Sequence, residues 1–386
     1  MINQLESVNL DLTNTELDNN KTMVEDSSED QDISPSRYSI TSYGADYPVD
    51  GLVKRINRGD IFIPPFQRSY VWTIEKASRF IDSLLLGLPV PGIFLAKEKE
   101  TNRLLVIDGQ QRLKSLQFFY NGQGHFPARG QVPFRLCKVA PQFEGKAYED
   151  LHPEDRRMLD DSIIPATIVR QESPQNELDP PSSIYYIFER LNTGGSKLLP
   201  QEIRSCIYHG KFNDFLGEIN ENVVWQRIFQ GKESVEKPNE KNRLKDMELI
   251  LRFFALFLDF DSYKGSMSDF LSGFMDKNRD HNLYDPAYLK KLFENTIEFI
   301  DQTLGIKAFR PRRGLNAAAF DAVMVGLARR LEQGEIKDLE QFKDVYYRLL
   351  ESEEFRDVSI NARQISSLDN VTRRINMATE AFGALP

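Results

Sequence analysis

The 386-residue chain is 40% hydrophobic and 28% charged, with 26 Phe against 2 Trp, which suits a globular protein of two or three folding units with a sizeable core. Its 2 Cys exclude a disulfide scaffold and its 4 His leave little for a metal cluster, so a reducing compartment is expected. The richest apolar run, Phe253 to Leu258, falls far short of the ~18 residues that span a bilayer. The acidic N-terminus also lacks the basic start of a signal peptide, so a cytoplasmic protein with no membrane partner is expected.

The formal net charge of −9 is unevenly placed. Residues 1–37 hold nine acids, two bases and no aromatic residue, a charge of −7 that leaves −2 for residues 38–386. Such a segment cannot offset its ordering entropy, which predicts a disordered acidic tail over 1–37. It reads either as a solvated tail or as a docking arm that mimics nucleic acid. A near-neutral body still has room for basic clefts, since a phosphate site needs only a few convergent Arg.

Leu52 to Ile61 is short and mixed, and the prolines of Ile63-Pro64-Pro65-Phe66 force an extended segment. From Glu75 to Leu88, Ala77, Phe80, Ile81, Leu84, Leu85 and Leu88 share one helical face, with Gly87 and Pro89 at its end. Residues 93–95 and 104–107 read as buried strands joined by a charged hairpin turn, followed by a helix over 110–120. Residues 121–162 look irregular, 163–169 a further strand and 174–181 a loop. Beyond Ser182 the period becomes helical at 183–191, 201–209, 243–259, 286–304, 315–332, 338–351 and 371–381. The pattern predicts an α+β front half, residues 38–200, and an all-helical back half, residues 201–386, with no internal repeat.

Three segments carry chemistry. Asp108-Gly109-Gln110-Gln111-Arg112 lies between a strand and a helix, where Gly109 permits a tight turn and a helix N-terminus favours an anion. Arg112 in the first turn opposes the helix dipole unless a phosphate lies between them. Asp108 is then the candidate metal ligand or water-orienting group, with Gln110 and Gln111 to position water or phosphate. The plain alternative is a turn whose surface Arg pairs with an acid. In the second segment, Gln67, Arg68, Tyr70 and Trp72, Arg68 offers a bidentate fork and the aromatics offer stacking surfaces, unless they are core residues. In the third, Asn192, Thr193, Gly194 and Gly195 follow a helix and either line the same anion pocket or form a left-handed cap. Outside these segments, Arg310, Arg312 and Arg313 crowd a loop fixed by Pro311 and Gly314, a candidate DNA-backbone contact or a solvated turn.

In order and spacing, the three segments together resemble the N-terminal domain of GmrSD-type restriction endonucleases, of the ParB/sulfiredoxin-like class, over residues of about 45–210. Lys245 to Phe253 resembles the helical extension seen in that family. The resemblance implies a nucleotide-binding domain that hydrolyses NTP, ATP or GTP, with Mg2+ at Asp108. It also implies service in restriction and phage defence, including sensing of modified or phosphorothioated DNA. It places catalytic roles on Asp108, Gln110, Gln111 and Arg112, and nucleotide contacts on Gln67, Arg68, Tyr70, Trp72, Gly109 and Asn192 to Gly195. Full-length members often add an HNH nuclease. Here His125, His152, His209 and His281 have no metal-ligand spacing, so a separate nuclease or defence subunit is the expected partner, with homo-oligomers possible. A self-sufficient DNA nickase and a non-catalytic DNA-reading module are the competing readings. No P-loop and no Ser/His or Cys/His motif offers another.

Overall fold

The computed structural model describes residues 24–25, 40–63, 70–98, 101–127, 129–171, 185, 187–188, 190, 199–234, 244–312 and 314–386. The expected architecture is present: a mixed sheet with helices in the first half, then a helical second half. Strands β2 (Ile40–Pro48), β8 (Ile163–Gln171), β4 (Ile93–Lys97), β5 (Leu104–Asp108) and β3 (Ile61–Phe62) lie in the spatial order β2-β8-β4-β5-β3. β4 runs antiparallel to β5 and parallel to β8, β3 runs parallel to β5, and β2 forms an antiparallel edge on β8.

The sheet is covered on both faces, which explains why β5 reads as an unbroken apolar run. Ile93, Leu95, Leu104, Val106, Ile164 and Ile168 pack with α1 (Val49–Arg58), α2 (Ile74–Leu85) and α3 (Gln110–Tyr120). On the other face Ala96, Leu105, Ile107 and Val169 belong to the same core as the helices of the second half. The two halves on either side of residue 200 therefore share one apolar core.

The helix α5 (Pro200–Ile207) joins them. All seven residues from Gln201 to Ile207 are buried. Buried Arg204 donates Nε to Gln201 Oε1 at 2.8 Å and pairs through Nη2 with Glu248 of α8 (Lys245–Leu258). Deeper in the helical half, α8 meets α11 (Ala317–Leu331) and α14 (Leu368–Gly383) around a buried carboxylate. Asp321 accepts from Arg252 Nε at 2.9 Å, Arg252 Nη2 at 2.6 Å and Arg374 Nη2 at 3.0 Å, with Asp321 and Arg374 0% exposed. Gly326 lets α11 and α14 touch there, because a Cβ would lie 2.8 Å from the Ala378 backbone carbon.

Several expectations need correction. The first strand, Ile40–Pro48, and the helix Val49–Arg58 were not predicted, since the alternation over 40–48 includes Gly44 and exposed Tyr43. Residues 121–162 are not irregular: they hold a hairpin of β6 (Gln123–Phe126) and β7 (Gly130–Pro133), and α4 (Pro153–Asp161). Four short helices also escaped the reading, namely α6 (Lys211–Asn220), α7 (Val223–Gln230), α9 (Met267–Lys277) and α13 (Glu353–Ser359). Each has 7 to 11 residues, too few to show a sustained period. The loops expected over 174–181 and 192–199, the helix over 183–191 and the acidic tail lie almost wholly outside the described residues. Of the tail, Val24–Glu25 (β1) pair in parallel with Leu315–Asn316 (β9). The remaining helices α10 (Pro286–Thr303) and α12 (Leu339–Glu351) fall where the period placed them.

Asp321 is the acceptor on which two buried guanidinium groups depend. Asp321→Asn is expected to destabilise the chain by about 3–5 kcal/mol, because it leaves buried charge without its partner. Urea unfolding checks this, and a loss below about 1 kcal/mol would show that the triad is dispensable.

Candidate active site

The site begins with a bulge. Phe94 pairs with Asp108 but Leu95 pairs with Val106, so Ile107 is one residue too many on β5. A bulge bends its strand and re-aims the side chains beside it. It comes directly before Asp108, the last residue of the strand.

Gly109 then turns the chain with φ 100° and serves as the N-cap of α3. Two constraints select glycine here: that φ, and the space, since a Cβ would stand 2.4 Å from Ile93 Cγ2. Gly109 offers no side-chain cap and the first turn of α3 holds no acid, so nothing within that turn offsets the positive end of the helix dipole.

Arg112 lies in that turn and folds back on the strand. Its Nη2 donates to Asp108 Oδ2 at 2.6 Å, with the Arg112 side chain 15% exposed and that of Asp108 42% exposed. Its Nε is buried without a hydrogen-bond partner among the described residues. The acid that compensates Arg112 is thus the strand-ending Asp108 of the same motif.

Gln111 does something that sequence could not reveal. Its Oε1 accepts from the amides of Val71, at 3.0 Å, and Trp72, at 3.2 Å. That ties the segment following residues 64–69 onto the first turn of α3. Gln67 and Arg68 themselves lie outside the described residues, as do Asn192, Thr193, Gly194 and Gly195. Of the second segment, Val71 and Trp72 meet the first motif at Gln111.

Tyr70 corrects an expectation. It is 6% exposed, its hydroxyl is 2.6 Å from Ser115 Oγ, and its ring packs edge-on against Phe118 and Phe126 with centroids 4.9 and 5.6 Å away. Burial pushes its phenol up to about 12, above the ordinary tyrosine value. Tyr70 is a core residue and offers no face to a base. Trp72 leans the same way: it is half-buried, edge-on to Phe80 at 5.8 Å, with the Lys76 ammonium 4.8 Å from its ring centroid.

Sequence reading missed Ser115 and Lys114, both on α3. Ser115 is the buried partner of Tyr70, and Lys114 is half-buried with its pKa pulled below the ordinary lysine value by burial. The pattern Arg112-Leu113-Lys114-Ser115 carried no signal for either, because helix positions reveal burial only once the facing elements are known.

For a divalent ion the chain supplies Asp108. Among the described residues no group of three or more His, Cys, Asp or Glu is placed to hold a metal. One carboxylate suits Mg2+ that takes its other ligands from phosphates and water, so the donor set fits an ion carried in with a nucleotide.

Arg310 also changes role. Its Nη1 donates to the carbonyls of Ile306 at 2.9 Å and Ala308 at 3.0 Å, and its Nη2 to that of Phe229 at 2.8 Å. It locks the loop against the end of α7 and is not available to a DNA backbone as expected. Arg312 is exposed, with Nη2 on Asn361 Oδ1 at 2.9 Å, and Arg313 lies outside the described residues.

With this geometry in place, the comparisons can be read. The stretch of residues 49–209 matches the family described as GmrSD restriction endonuclease, N-terminal domain. It contains the bulge, the Asp108–Arg112 turn, the Gln111 clamp and the joining helix α5. An uncharacterized protein of Methanocaldococcus jannaschii is 22% identical, over 47% of this chain and 45% of its own length. The chain thus spans about half the length of that relative. No solved structure matches.

Two expectations follow. Gln111→Ala should free the segment at Trp72, shifting the red edge of its fluorescence in a Trp225→Phe background while costing about 1–2 kcal/mol. An unchanged spectrum would show that the clamp does not hold the segment. Arg310→Gln should lower stability by about 2 kcal/mol or more and Arg312→Gln by less than about 0.5 kcal/mol in the same urea titration, because only the first leaves carbonyls unsatisfied. Equal effects would contradict the assignment.

Proposed function

We propose that the chain binds and hydrolyses a nucleoside triphosphate at the Asp108–Arg112 turn. In this reading it serves as the nucleotide-dependent regulator of a cytoplasmic restriction system, acting on DNA together with a separate nuclease subunit. The observation that carries this reading is the state of Arg112: a guanidinium fixed at 2.6 Å by Asp108 beside a helix N-terminus with no side-chain cap, its buried Nε having no acceptor among the described residues. Asp108 meets only the Nη2 side of that guanidinium, and a phosphate at the helix N-terminus would meet the remaining N–H groups. The GmrSD match over residues 49–209 supports a setting in restriction.

The division of labour follows from the geometry. The leading amides of α3 and Arg112 hold phosphate oxygens and offset charge as it develops on the transferred group. Asp108 keeps Arg112 in place through Oδ2, which leaves Oδ1 to hold Mg2+, whose chemistry would be to neutralise phosphate charge. Gln110, half-buried at the first helical position, is placed to orient water. Gln111, its Oε1 already committed to Val71 and Trp72, positions the neighbouring segment. Hydrolysis joins the water oxygen to the γ-phosphorus, breaks the bond to the β,γ-bridging oxygen, and releases nucleoside diphosphate and phosphate with the water's proton passing to solvent.

Arg112→Ala and Asp108→Ala should each cut phosphate release at least about a hundredfold. Asp108, whose side chain is 42% exposed, leaves the pair in contact with solvent and of small weight in folding, so melting temperatures should stay within a few degrees. Malachite-green phosphate release with ATP and GTP, alongside calorimetric unfolding, checks this. Full turnover in both variants would place the chemistry elsewhere. Loss of folding in both would make the pair structural.

A further inference from the structure

A second charged cleft lies at the opposite end of the sheet. Asp108 ends β5, and the cleft opens where β5 begins, at Leu104, beneath the turn from β4. Its volume is about 270 Å³, and its chemistry comes from Tyr43, Tyr47, Arg55, Lys97 and Arg103. Four residues of strand, about 13 Å, separate the two ends.

Each residue reaches the cleft for a structural reason. Tyr43 and Tyr47 stand four apart on β2, an edge strand, and so project from one face. Tyr43 is 47% exposed, which leaves a ring face open to solvent at the cleft. Arg55, near the end of α1, holds its guanidinium 5.6 Å from the Tyr47 ring centroid. Lys97 ends β4. Arg103 immediately precedes β5, with Nη2 2.9 Å from His209 Nε2, Nε 3.4 Å from Glu98 Oε2 and its guanidinium 5.3 Å from the Phe62 ring centroid.

The charge balance is one-sided. Three cations line the cleft with one carboxylate, Asp60, and that accepts from Arg58 at 2.8 Å. Among the described residues neither Arg55 nor Lys97 forms an ion pair. Cations beside the exposed Tyr43 ring and the half-buried Tyr47 ring on an edge strand make the combination that grips a phosphate while stacking its base. The volume falls just below the ~300–1,000 Å³ of drug-sized pockets, which suits one nucleotide unit with its phosphate and is small for a triphosphate with its base.

From this we infer that the cleft is a second site, for a nucleoside monophosphate unit, in which a base stacks on Tyr43 or Tyr47 and its phosphate lies on Arg55, Lys97 and Arg103. The unit is either a free nucleotide or one residue of a nucleic-acid strand. The inference stands independently of hydrolysis at Asp108, since it uses no residue of that turn.

The test is fluorescence anisotropy on the full chain with two probes, a labelled single-stranded oligodeoxynucleotide and a labelled nucleoside monophosphate. Arg55→Gln with Lys97→Gln is expected to weaken at least one probe by about tenfold, and Tyr43→Ala by several-fold. If the strand is the ligand, the double variant should also flatten its salt dependence by about 1.4 in log–log slope, for two phosphate contacts. A response confined to the monophosphate supports a free nucleotide. Arg55→Lys restored on the Lys97→Arg background should keep most of the affinity, and circular dichroism melting shows whether each variant folds. Wild-type chain that binds neither probe, or a folded double variant that binds both like wild type, overturns the inference.

Discussion

The constraint on which the structure depends is a sheet buried on both faces. Strands β4 and β5 give alternate residues to two cores, Leu95, Leu104 and Val106 to one and Ala96, Leu105 and Ile107 to the other. Polar side chains inside such strands would lose hydration without compensation, so charge is displaced to the strand ends. Asp108 stands at one end and Lys97 with Arg103 at the other. Both polar sites follow from the same burial. The bulge at Ile107 sharpens the first of them, because it ends regular pairing one residue before the turn.

Burial on the second face also explains why the helical half is joined rather than appended. Its helices complete the core that the sheet opens, and α5 crosses the junction with every residue from Gln201 to Ile207 buried. A helix in that position has no solvated face for its polar residues. Arg204 is therefore satisfied by Gln201 and by Glu248 of α8, and Glu202 turns back to accept from the Leu199 amide at 2.7 Å. The same logic recurs at Asp321, where one carboxylate neutralises two guanidinium groups. Buried ions of this kind cost more to break than they return in stability, and they fix which helices meet. Ile107 at the end of β5, Ile203 of α5 and Ile250 of α8 belong to the same buried core, which joins the end of the sheet to the helical half.

Sequence was informative where the pattern was local. The apolar face from Ala77 to Leu85, the two strands flanking a charged turn, and the long helices near 245–258, 286–303 and 317–331 all announce themselves by period. The Asp-Gly turn at the strand end was legible because only glycine meets its conformational and steric demands. What sequence could not show was partnership. Tyr70 looks like a stacking surface until Ser115, 45 residues away, takes its hydroxyl. Arg310 looks like a free cation until a carbonyl of Phe229, 81 residues away, receives it. Gln111 looks catalytic until two amides of the preceding segment occupy its oxygen. In each case a polar side chain was assigned to a ligand when a distant part of the chain already met its need. The strand over Ile40–Pro48, with the tyrosines of the second cleft, was passed over because Gly44 and an exposed ring interrupt its apolar alternation.

The central claim is that phosphate is held where β5 turns into α3. Amide hydrogen exchange with and without a non-hydrolysable nucleoside triphosphate tests it most directly, since it reports where protection appears and needs no variant. The account predicts that nucleotide slows exchange at Gly109 to Leu113, the amides that open the helix. Nucleotide binding with exchange at those amides unchanged, and protection appearing only elsewhere in the chain, would contradict it.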